Sequence, residues 1–96
     1  MRNYSITYCA VEVKREQMEE FENYLYEREN AEATVKKYLS DIRTFFRYLK
    51  EDLTINKRKI LGYKVWLMEA YAVNSVNSML AALNQFLDFL GCGIFK

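Results

Sequence analysis

The side chains best placed for chemistry are cations spaced for one helical face. Over Thr34 to Leu49, TVKKYLSDIRTFFRYL, and the next residue, Lys36, Arg43, Arg47 and Lys50 form a stripe roughly 110° from the centre of the apolar one. A row of Lys and Arg suits a row of phosphates, because such contacts draw their strength from displacing condensed counterions. The plain alternative is a solvated face. Thr34 and Lys37 stand near the start of the same helix, where free backbone N–H groups also favour a phosphate. Later in the chain, Asn74, Asn77, Ser78, Asn84 and Gln85 make a run rich in amides, and Asn or Gln can pair bidentately with adenine. Capping and ordinary exposure explain them equally well, and Asp88 on the same stripe would repel a phosphate. Lys57, Arg58 and Lys59 are the densest basic run, divided between backbone contact and solvated charge.

What is missing narrows the chemistry further. The 96 residues contain no histidine, which removes the usual general base, the commonest metal ligand and the histidine-activated nucleophiles. Cys9 and Cys92 have no close metal-ligand spacing and read as free thiols. No catalytic constellation, metal site or cofactor is expected. The start, MRNYSITYCAVEV, has no apolar run of signal-peptide length, and nowhere do about 18 apolar residues occur together. The expectation is a soluble, cytoplasmic protein with no membrane or small-molecule partner.

The elements that must carry these groups are helices. There is no proline, and 51% of the residues are hydrophobic, a composition suited to packed helices in one domain. Val35, Tyr38, Leu39, Ile42, Phe45, Phe46 and Leu49 follow the spacing of a buried helical face. The pattern returns over 75–90, with Val76, Leu80, Leu83, Phe86 and Leu90 at the matching positions. An earlier helix, about 14–29, places Met18, Phe21 and Leu25 inward among glutamates. A third, about 55–70, is apolar almost all round. Ile60, Tyr63, Leu67 and Tyr71 line one side, Leu61, Val65 and Met68 another and Trp66 a third, so this helix is either flanked by neighbours on two sides or exposes a contact patch, with Gly62 marking a close approach. Expected caps are Asn30 and Thr54 at helix starts and Gly91 at the last helix end.

The fold expected is all-α, a four-helix bundle of two antiparallel hairpins over 14–91, with an extended arm over 1–13 and a linker beginning at 92–96. Its core is expected to contain Val35, Leu39, Ile42, Phe46, Leu49, Leu80, Leu83, Phe86 and Leu90. Charge is segregated: residues 12–32 hold eight acids and three bases, residues 34–64 nine bases and three acids. One side of the fold should be basic.

Thr34, Tyr38, Asp41, Ile42, Phe45 and Leu49 resemble the first signature of the SAM-like core-binding domain of phage integrases, the tyrosine recombinases. Ser75 to Gly91, SVNSMLAALNQFLDFLG, resembles that domain's closing helix. The resemblance covers about 18–91. It implies a double-stranded DNA-binding module that forms one jaw of a clamp on the recombination core site, with other recombinase protomers or a catalytic domain as further partners. It implies that the catalytic arginines, histidine and tyrosine lie downstream of Gly91, so that this chain is a fragment without catalytic residues of its own. Ser78 and Asn84 stand where the family often has arginine, which weakens the phosphate grip expected of the last helix. Residue chemistry alone also admits a protein-interaction domain using the acidic first helix or the aromatic third.

Overall fold

In the computed structural model, which describes residues 11–91, periodic burial has produced four helices: α1 (Gln17–Glu27), α2 (Glu32–Leu49), α3 (Lys57–Ala70) and α4 (Val73–Leu90). Connections of a few residues join α1 to α2 and α3 to α4, giving the two hairpins of an all-α domain. Residues 1–10 of the expected arm, the 92–96 linker and both cysteines lie outside the described residues.

The centre is the packing of α2 on α4. Val35, Leu39, Ile42, Phe45, Phe46 and Leu49 of α2 meet Val76, Met79, Ala82, Leu83, Phe86 and Leu87 of α4 in one buried cluster. Phe86 joins the neighbours: its ring makes edge contacts with Phe21 of α1 at 5.1 Å and Phe46 of α2 at 5.8 Å. Leu80 and Leu90, expected inside, are only half-buried. Apolar residues occupy more than one face of α4, and Met79 and Leu87 take the interior places instead.

α3 joins through rings. Tyr63 packs against Phe45 at 4.7 Å and Tyr48 at 5.2 Å, while Trp66 lies 5.4 Å from Tyr48. Ile60, Tyr63 and Leu67 are its buried face. Leu61 and Val65, each 51% exposed, and Met68, 62% exposed, form the uncovered patch, so neighbours do not enclose this helix.

Two expected caps fall elsewhere. Asn56, not Thr54, begins α3: its Oδ1 accepts the Lys59 N–H at 2.9 Å. Thr54 is held extended because Thr54–Ile55 (β2) pairs antiparallel with Val11–Glu12 (β1), in the register Val11 to Ile55 and Glu12 to Thr54. This short pairing turns part of the expected arm into a fixed strand, with Ile55 of the pair and Val13 just after β1 both buried. Asn30 does not cap α2, which starts after extended Ala31 without a side-chain cap. Glu29, at φ 63°, turns the chain, and Asn30 Nδ2 donates to the Leu25 carbonyl at 2.8 Å. Asn30 therefore closes α1. Gly91, at φ 78°, ends α4 as expected.

Candidate nucleic-acid interface

The cations that come together do so at the end of α2. Arg43, Arg47 and Lys50 are exposed, and Arg47 Nη2 donates to Thr44 Oγ1 at 2.9 Å, which orients its guanidinium. Lys50 closes the helix with its N–H bonded to the Phe46 carbonyl, at φ 63° and ψ −123°. Arg15 comes from near the start of the described residues. The β1–β2 pairing and the Val13 N–H to Leu53 carbonyl bond bring that segment alongside α2, and Lys14 N–H bonds Gln17 Oε1 as the chain enters α1. There Arg15 Nη2 donates to the Lys50 carbonyl at 3.3 Å. Cationic groups at a helix C-terminus also lie at the negative end of its dipole.

Two adjoining depressions result. In one, of about 580 Å³, Arg15, Arg43, Arg47 and Lys50 stand against a single acid, Glu51. The other, of about 690 Å³, shares Arg47 and Lys50 and adds Lys59, Tyr48, Trp66 and Tyr71. Lys59 is engaged: its Nζ lies 2.6 Å from Asp52 Oδ2, and this contact together with the Thr54 N–H holds the Asp52 carboxyl below its ordinary value. Arg43 also borders a smaller depression beside Glu19 and Glu22, yet forms no ion pair within 4 Å among the described residues.

The front half of the expected stripe is arranged differently. Lys36 is exposed and paired with Glu32 at 3.1 Å. Lys37 Nζ contacts Asp41 Oδ2 at 2.6 Å, and Asp41 is buried. The carboxylate that the signature includes is thus satisfied within α2. Thr34 is half-buried, about 14 Å along the helix axis from Arg43. Lys36, Lys37 and Thr34 do not join the cluster at the far end.

On α4, Asn77 and Asn84 are exposed and Ser78 is half-buried. The helix holds no Lys or Arg, and none of its residues lines either cationic depression. The amides and the cations are separate features. Arg15 is the participant that sequence reasoning missed. Nothing local marks it, since its place depends on strand pairing with residues far along the chain.

The phage integrase N-terminal SAM-like domain matches residues 18–91. The chain belongs to that family, and the matched part is its N-terminal helical domain rather than a catalytic one. No curated protein and no solved structure matches the chain. No helix of the described residues is long and apolar enough to cross a membrane.

Proposed function

We propose that this domain binds double-stranded DNA through its phosphate backbone, as the non-catalytic core-binding jaw of a cytoplasmic site-specific tyrosine recombinase. The observation that carries the reading is the convergence of Arg15, Arg43, Arg47 and Lys50 at the end of α2, four cations facing one acid. Such a group neutralises phosphates and fixes orientation without reading sequence. Family membership supplies the setting: a domain of this kind grips DNA while a separate domain or further recombinase protomers complete the clamp. Asn77, Ser78 and Asn84 are second-tier contacts, available to base edges if α4 approaches a groove. Thr34, Lys36 and Lys37 are weaker candidates, because both lysines have carboxylate partners.

Fluorescence anisotropy with several unrelated duplexes tests this. Arg43→Glu combined with Arg47→Glu weakens binding to every duplex alike, whereas Asn77→Ala, if that residue reads a base, changes the ranking of sequences. Unaltered binding by the folded double variant defeats the reading.

Exposed Leu61, Val65 and Met68 favour a second reading, a protein-interaction module. The two part company on Val65→Asp with Met68→Glu. Under the DNA reading duplex binding survives this change. Under the interaction reading the unaltered chain shows no duplex affinity, and its complexes with protein depend on these residues.

A further inference from the structure

One part of the surface goes beyond a phosphate grip. The larger depression is lined by cations, Arg47 and Lys50 among them, together with the rings of Trp66 and Tyr71. Its volume, about 690 Å³, is in the range that accommodates a small ligand. Both rings are substantially open to solvent, Trp66 at 37% and Tyr71 at 40%. They are also held in place. Trp66 stacks on buried Tyr63 with centroids 5.9 Å apart and planes 20° apart, and Tyr71 meets it edgewise at 6.0 Å and 69°. A ring already fixed by its neighbours loses little freedom when a flat ligand settles on it.

The geometry points to a site for one unpaired nucleotide of DNA, its phosphate held by Arg47 and Lys50 and its base stacked at the Trp66–Tyr71 corner. This rests on the DNA reading above and sharpens its substrate class to DNA with an unstacked base. Aromatic rings stack on bases of any sequence, but in an intact duplex both faces of an internal base are occupied. Thr44 orients Arg47 toward this role. Lys59, paired with Asp52, contributes less charge than its position suggests.

Trp66 is the sole tryptophan of the chain, so the site carries its own reporter. The test compares an intact duplex with the same duplex bearing one bulged thymidine, following anisotropy and, with unlabelled DNA, Trp66 emission. Expected is about tenfold tighter binding of the bulged form, quenching of Trp66 by that form, and a ratio near one in Tyr71→Leu. Should Tyr71→Leu unfold, Trp66→Phe and Trp66→Leu replace it: the first keeps the preference and the second loses it. Equal affinity for both DNAs overturns the inference while leaving the DNA reading intact. A preference that persists in Tyr71→Leu, or equally in both Trp66 variants, also overturns it. Binding of neither DNA removes both readings.

Discussion

The Tyr48 hydroxyl occupies the space that a side chain on Gly62 would need: a Cβ built there stands 2.8 Å from the phenolic oxygen. A glycine inside a helix ordinarily costs about 1 kcal/mol relative to alanine. Here it makes room for the Tyr48 side chain of α2, whose ring packs against both Tyr63 and Trp66 of α3. Gly62→Ala alone should therefore gain none of that propensity and should lower stability. In a Tyr48→Phe background the same change should be more favourable by about 1 kcal/mol. Denaturant melts of the four proteins measure the coupling, and strict additivity would contradict it.

Lys50 combines a strained backbone with a charge. Its φ of 63° and ψ of −123° suit glycine far better than lysine. Lys50→Gly should raise stability by about 1 kcal/mol and still weaken DNA binding, a pairing that separates the residue's two roles. Thermal melts and anisotropy on the same variant decide it. Lower stability would show that the lysine side chain outweighs the backbone strain.

Asn56→Ala should cost about 1 kcal/mol, the usual loss on removing a helix N-cap, because the Lys59 N–H would lose its acceptor. Thr54→Ala should cost less, since the Thr54 side chain makes no capping bond and its backbone pairs with Glu12. Chemical denaturation of the two variants ranks them, and the reverse order would restore Thr54 as the cap.

Burial, reinforced by the nearby Asp41 charge, pushes the Tyr63 phenol well above its ordinary value of 10.0, against a smaller opposing effect of Arg47. A group that holds its proton more tightly when folded contributes stability below the unfolded value, and that contribution is lost as pH rises above it. The wild type should thus lose more stability between pH 9 and pH 11.5 (roughly the window on either side of the unfolded tyrosine value) than Tyr63→Phe does. The hydroxyl is buried and has no hydrogen-bond partner among the described residues, so Tyr63→Phe should be neutral or stabilising at pH 7. Parallel loss in both proteins would place the ionising group elsewhere.

How far the sequence led depends on the range of each interaction. The helices α2 and α4 were legible because helical spacing is local, and Val35, Ile42, Leu83 and Phe86 are buried where that spacing puts them. For α3, apolar on several faces, periodicity left two alternatives, and only packing distinguishes buried Tyr63 from exposed Val65. The caps expected at Asn30 and Thr54 were misplaced for different reasons. Glu29's positive φ redirects one, and the β1–β2 pairing across the chain displaces the other. The same pairing delivers Arg15 to Lys50, which no local pattern reveals. Lys36 and Lys37, by contrast, had partners visible at i±4 in Glu32 and Asp41, a spacing that predicts ion pairs on any helix.

The central claim is that the end of α2 is an electrostatic grip on DNA, and the salt dependence of duplex binding tests it most directly. With about four phosphates neutralised, log affinity should fall against log salt with a slope of roughly −3.6, from an affinity near ~10⁻⁴ to 10⁻⁶ M for the jaw alone. Reversing Arg43 and Arg47 should weaken binding and flatten that slope. A slope near zero in the unaltered chain, or an unchanged slope in the folded double reversal, would contradict the account and leave the cations as solvated surface.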